Sequence, residues 1–155
     1  METVKKQLLK HLDGGEAFMP VSHMLNKISF DSINIRPAGL PYSFYQLFYH
    51  IVYTQKDIVK FVCSEDYIKP KWPDYYWPKD KNCKNPEQWE NLKAEYFTDK
   101  ERLKNFVLDD AHLLDAVVKN GKDDQTLIRE ILLVLEHTAY HTGQLLIVLR
   151  LLNLH

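Results

Sequence analysis

Between Thr126 and the end of the chain, Leu127, Ile131, Leu135, Thr138, Thr142, Leu145, Leu149 and Leu152 recur at spacings of three and four. That period belongs to an α-helix, because side chains three and four apart share a face, whereas a strand repeats every second residue. A stripe sustained over this many turns has to be buried, and the surface that suits it is another helix. Thr126 stands where an N-cap is expected.

The rest of the chain supplies helices of the same kind. Phe44, Leu47, Phe48, Ile51, Val52, Ile58, Val59 and Val62 lie on one arc of about five turns. Ser43 and Gln46 before that arc fit a capping box, the hydroxyl accepting from the backbone of Gln46 and the amide reaching back. Asn85-Pro86-Glu87-Gln88 is another helix start, with an Asn cap and Pro at the first helical position. Trp89, Leu92, Tyr96, Leu103, Phe106 and Val107 then define its inner face. Residues 4–12 begin a helix that Gly14-Gly15 interrupts. Phe18, Val21, Leu25 and Ile28 resume helical spacing, with Pro20 in the first turn. Residues 31–42 hold Pro37, Gly39 and Pro41 and read as a connection. Across residues 109–124 the pattern weakens: Leu113, Leu114, Val117 and Val118 fit a short turn or strand-like piece, and Asn120-Gly121 marks a turn. The expectation is an all-α chain, one four-helix-bundle domain over residues 1–155, with its topology open.

Residues 64–85 break the pattern. Pro70, Pro73 and Pro78 forbid a continuous helix, and Tyr67, Trp72, Tyr75, Tyr76 and Trp77 stand among them. So long an irregular segment is usually functional or packed down by its own side chains. It reads equally well as a cap over one end of the bundle and as a pocket wall or subunit contact.

Composition excludes several classes of function. A net charge of -1 gives no field to attract nucleic acid or an acidic membrane. The longest apolar run, residues 145–149, lies in an amphipathic segment, so no membrane span is expected. The first residues lack the apolar stretch of a signal peptide. Two cysteines, Cys63 and Cys83, make neither a disulfide framework nor a zinc-finger spacing. A cytoplasmic setting is expected.

The chemistry-bearing residues are histidines. His137 and His141 stand four apart on the final helix, which brings their β-carbons to about 6 Å and lets both rings reach one ion. With seven histidines in the chain, such a pair also arises by chance. A third ligand must come from another element, and His50, flanking the apolar arc of its own helix, is the best placed. His11, His23, His112 and His155 lack that placement and read as solvated or half-buried side chains.

At these residues the chain resembles the DinB/YfiT-like superfamily of four-helix-bundle metalloproteins. The resemblance runs from Arg36-Pro37 through Tyr42-Ser43-Phe44 to His50, and from Asp66-Tyr67 to Tyr76-Trp77-Pro78. Its strongest part is Gln125-Thr126-Leu127-Ile128-Arg129-Glu130 followed by His137 to Leu145. It implies a divalent metal ion, zinc or nickel, on His50, His137 and His141. Some relatives are thiol-dependent S-transferases or isomerases using a low-molecular-weight thiol, and others are described only as metal-dependent hydrolases. It further implies a homodimer, for which the aromatics between Tyr67 and Trp77 offer a contact.

Three histidines leave coordination positions open, whereas a closed structural site uses four protein ligands. The expected function is therefore a metal-dependent transferase or hydrolase acting on a small molecule. The alternatives are a non-catalytic metal-binding stress-response protein and an ion that merely braces the bundle. Glu130, seven residues before His137 on the same face, is a candidate to orient a ligand or take a proton. Gln144, three past His141, is a candidate donor to a bound group. Each also reads as a solvated polar residue beside the site.

Overall fold

The structure is a computed structural model and describes residues 2–155. Its helices are α1 (Glu2–Asp13), α2 (Val21–Leu25), α3 (Phe30–Ile33), α4 (Phe44–Cys63), α5 (Pro86–Leu108) and α6 (Leu127–Leu151). Among the described residues the only β pairing is an isolated antiparallel bridge, Val117 with Thr126. The chain is all-α.

Six helices replace the expected four. The additions, α2 and α3, are five and four residues long. α2 is all that forms of the resumed helix. Pro20 is its N-cap rather than a first-turn residue, and its carbonyl accepts from His23 and Met24. Phe18 stays outside at 39% exposure, while Ile28 is buried beyond the helix end. Gly14 and Gly15 take φ of 79° and 91°, a region closed to most side chains, and so turn the chain after α1. α3 interrupts the connection predicted across residues 31–42.

The caps divide. Ser43 and Gln46 form the complete capping box, and Gln46 also accepts from Arg36 at 3.0 Å, which ties the incoming connection to α4. Asn85 accepts from the Gln88 amide at 2.8 Å. Thr126 occupies the N-cap of α6, but its side chain makes no cap bond. Its backbone is held in the bridge to Val117 instead. A cap contributes about 1 kcal/mol. Fully burying Phe44, Leu47, Phe48 and Ile51, each 0% exposed, contributes about 1.5–3 kcal/mol apiece. The caps thus place the helix starts, and packing holds the helices.

α4 packs on α5 and α6, and α1 packs on the same two, so the long helices close a ring. Two apolar clusters fill it. One joins Phe44 to Val52 of α4, Trp89 to Tyr96 of α5 and Leu145 to Leu149 of α6. The other joins Leu8 and Leu12 of α1, Val59 and Val62 of α4, Leu103 and Val107 of α5 and Leu127 to Val134 of α6. The beginning of α4 therefore meets the beginning of α5 and the end of α6: α4 runs parallel to α5 and antiparallel to α6. Parallel neighbours need a connection that returns the length of the bundle, which explains why residues 64–85 are so long.

In length and apolar content α6 alone among the described helices reaches what a membrane span needs, with 33% of that window buried. Its inward face carries Glu130, His137 and His141, groups that are costly in lipid. Leu114 and Val118 are buried while Leu113, Ala116 and Val117 are exposed, and the segment before α6 is a series of turns with one bridge residue, Val117.

Candidate metal centre

Between the two apolar clusters the interior turns polar. On α6, His137, His141 and Thr142 fill the stretch from Val134 to Leu145, and on α4, Gln55 stands between Val52 and Val59. Gln55 is satisfied by the Tyr96 carbonyl at 2.7 Å. Here α4 and α6 bring the three histidines together. His50, His137 and His141 each offer a ring nitrogen, and these nitrogens lie within 4.8 Å of one another. Ring centroids are 4.9 Å apart for His50 and His137, 4.6 Å for His50 and His141, and 4.4 Å for His137 and His141.

Neighbours fix which nitrogen faces inward. His50 Nδ1 donates to the Tyr76 carbonyl at 2.9 Å, which leaves Nε2 with a free lone pair, and His137 Nε2 lies 3.1 Å from it. His141 Nδ1 donates to Gln144 Oε1 at 2.6 Å, which again leaves Nε2 as the free atom. A ligand histidine characteristically donates its other N–H to an oxygen in this way. Burial lowers the pKa of all three. His137 falls to about 3, first through burial and then through the neighbouring His141 and His50. For His50 and His141 burial also leads, opposed by the hydrogen bonds to Tyr76 and Gln144. The imidazoles are neutral at pH 7, which is the form that ligates. Oriented lone pairs, neutral rings and burial fit a divalent ion of borderline softness.

The irregular segment builds one wall. Trp77 lies on the His50 ring, centroids 4.3 Å apart and planes 2° from parallel. Tyr76 holds α4 at two points: its carbonyl accepts a hydrogen bond from His50 Nδ1–H and its hydroxyl donates to Asp57 Oδ2 at 2.6 Å. Tyr67 donates to the other Asp57 oxygen at 2.9 Å. Both phenols are pushed above their ordinary pKa by burial and by these bonds to Asp57. Tyr76 and Trp77 of residues 64–85 pack on α4 at His50, and Ile68, Lys69, Pro70 and Tyr75 line a surface cleft with Tyr53, Asp57 and Lys60. Trp77 and Asp57 were not singled out as site residues by the sequence. The dense aromatics were the available signal for Trp77, and nothing marked Asp57 apart from any surface acid.

The polar candidates are placed differently. Gln144 spends its carbonyl oxygen on His141, so it orients a ring. Glu130 is 2% exposed and lies on the histidine face of α6, but seven residues correspond to about 10 Å along the axis. It is not part of the histidine group; its carboxylate accepts from Arg129 at 2.6 Å, and it lines a separate cleft of about 450 Å³ with Asp57, Tyr67 and Lys69. The cysteines stand apart: both are free, and burial raises Cys63 to about 11.

The family profile described as the DinB superfamily matches residues 17–145, which include all three histidines. The chain belongs to the DinB superfamily. No curated protein and no solved structure matches it significantly. The matched span of this DinB-superfamily chain carries all of α4 and the part of α6 that hold the three histidines.

Proposed function

We propose that His50, His137 and His141 hold one divalent metal ion and that the chain is a metal-dependent enzyme of the thiol-dependent S-transferase or hydrolase type, acting on a small molecule. The observation that carries this reading is the make-up of the group: three neutral imidazoles, no carboxylate or thiol among them. A closed structural site would have four protein ligands. A bound ion would supply Lewis-acid polarisation of an incoming oxygen or sulfur atom. The residues supply the rest. Tyr76 and Gln144 hold the protons of His50 and His141 on Nδ1, Trp77 keeps water from one face of His50, and α4 and α6 fix the rings from opposite sides.

Zinc and nickel are the proposed ions, with a low-molecular-weight thiol as co-substrate. We read the ring of α1, α4, α5 and α6 as the four-helix bundle of the family, and a cytoplasmic setting suits a pair of reduced thiols.

The test is elemental analysis of protein purified without a metal-affinity column, because nickel outcompetes zinc at imidazole sites and a column would load it. The loaded protein is then screened for thiol transfer to small electrophiles and for ester and amide hydrolysis. One ion per chain with turnover that follows ion content supports the proposal. Stoichiometric ion with no turnover favours a non-catalytic metal-binding stress-response protein.

A further inference from the structure

The groove between α4 and α6 continues past the histidines. Asp57 stands seven residues after His50 on α4, and Glu130 seven before His137 on α6. Because the two helices are antiparallel, both carboxylates fall in one stretch of that groove, about 10 Å along from the histidines. Here lies the cleft of about 450 Å³. Its floor is the buried Glu130, with Ile58, Phe61 and Leu133 beside it, and its rim carries the exposed Lys69 and Lys122.

The free hydrogen-bonding groups of the cleft decide what it holds. Both Asp57 oxygens are taken, by Tyr67 and Tyr76. Glu130 Oε1 is taken by Arg129, and Oε2 has no partner among the described residues. The unpartnered side-chain atoms sealed from solvent are Thr54 Oγ1 and Asp99 Oδ2, so Glu130 Oε2 is not sealed and opens into the cleft. On the rim, Lys71 pairs with Asp74 and Lys119 with Glu65, whereas Lys69 and Lys122 form no ion pair among the described residues. Gln125 spends its carbonyl oxygen on the Lys122 backbone, which leaves its NH2 free. One buried acceptor thus lies below a rim of donors.

We infer that this cleft binds a small amino-acid-type zwitterion with an apolar side chain. Its ammonium sits on Glu130 Oε2, its carboxylate on Lys69, Lys122 and the Gln125 amide, and its side chain against Ile58, Phe61 and Leu133. A buried carboxylate oxygen without a partner is costly, and an ammonium satisfies it with a charge-assisted bond. A simple anion would meet the lysines but set a second negative charge near Glu130. A divalent cation fits worse still. Asp57 has no oxygen left and Arg129 stands on the other Glu130 oxygen, so one oxygen would be the ion's whole protein shell, where hard cations take roughly six or more. An apolar lining with a few placed polar groups is the usual make-up of a small-molecule site. The site is separate from the histidines and requires no metal ion.

Calorimetric titration of the full chain, dialysed free of metal, tests the assignment with three probes. They are L-leucine, 3-methylbutylamine, which lacks its carboxylate, and 4-methylpentanoate, which lacks its ammonium. Leucine is expected to bind, and each half-molecule to bind about tenfold or more weaker. The double variant Lys69→Ala, Lys122→Ala changes two exposed positions. It should keep the thermal melt and bring leucine down toward the affinity of the amine, whose own binding it leaves alone. Glu130→Gln should bring leucine down toward 4-methylpentanoate. The wild-type comparison of leucine with 4-methylpentanoate reads the same contact, so a Glu130 variant that fails to fold leaves the test standing. No binding of leucine, equal binding of leucine and 4-methylpentanoate, or affinity indifferent to the lysine pair overturns the inference. Leucine bound only by zinc-loaded protein would sit on the ion, which overturns the inference and leaves the metal reading intact. Leucine bound as expected by a chain that takes up no zinc overturns the metal reading alone.

Discussion

The indole of Trp77 lies flat against the imidazole of His50, and the residue before it, Tyr76, accepts a hydrogen bond from that imidazole on its carbonyl. Two adjacent residues of one irregular segment thus set both the plane and the tautomer of a single side chain on α4. Replacing Trp77 by Ala removes the stacking surface and admits water to that side of the ring. Losing a supporting partner of a ligand histidine typically costs 10–100-fold in metal affinity. Trp77→Ala is expected to weaken binding by about tenfold, and Trp77→Phe by less. Competition against a chelating dye measures both. Equal affinity in Trp77→Ala and wild type would show that His50 needs no support from the segment.

Asp57 is the anchor behind that wall. Its two oxygens accept from Tyr67 and Tyr76, so one carboxylate fastens the irregular segment to α4 at two points. A hydrogen bond to a charged group contributes about 1.5–3 kcal/mol. Asp57→Ala is expected to lower stability by about 2–4 kcal/mol in denaturant unfolding, part of it recovered in Asp57→Asn. Because Tyr76 also carries the carbonyl that holds His50, Asp57→Ala should reduce metal affinity as well. A variant as stable as wild type would mean that the segment is held by its aromatic packing alone.

Much of this was legible in the sequence because it obeys local rules. The long helices follow from periodicity, and the caps at Ser43 and Asn85 follow from side chains that reach only three residues. Flanking apolar stripes made His50, His137 and His141 candidates to meet, and the family resemblance supplied what spacing alone left open. What depends on long-range contact was not. Thr126 has the residue type of a cap, but the pairing of its backbone with Val117 leaves its hydroxyl without a cap bond. Phe18 shares a helical spacing with Val21 and Leu25, but α2 starts only after Pro20, which leaves Phe18 outside it. Glu130 shares the histidine face of α6, and only the rise along the axis separates it from the group. The role of Asp57 depends on two hydroxyls ten and nineteen residues away.

The histidines also predict how the metal-free protein responds to acid. Burial holds all three pKa values below the ordinary 6.5, His137 at about 3. The unfolded chain takes up these protons near pH 6.5, and the folded chain takes them up only at lower pH. Between about pH 6.5 and 3 the unfolded state therefore binds more protons, so stability is complete above 6.5 and lost as pH falls toward 3. The apo protein should melt progressively lower from pH 7 to pH 5, and the slope should flatten in His137→Gln. A slope unchanged by that substitution would place the acid sensitivity in other groups.

Removing the ion should abolish activity while the helices remain. The argument rests on where the cores lie. One apolar cluster spans the first half of α4 with the end of α6, the other spans the second half of α4 with α1, and neither contains the three histidines. A chain of 155 residues with two such clusters does not need a metal to fold, unlike a zinc finger, whose folding energy is largely its binding energy. The ion would then stabilise only by mass action, about 2.7 kcal/mol at a hundredfold excess over the dissociation constant. For a domain of this size that corresponds to a rise of roughly 5–10 °C in Tm. The expected result is a helical far-UV spectrum in the apo form, a cooperative melt shifted up by that amount on adding zinc, and turnover that appears only with the ion. His137→Ala should lose most of the shift, because two imidazoles hold an ion poorly. An apo form already unfolded at room temperature would make the ion structural and remove the basis for an open site. A zinc-induced shift that survives in the His50→Ala, His137→Ala double variant would place the ligands elsewhere.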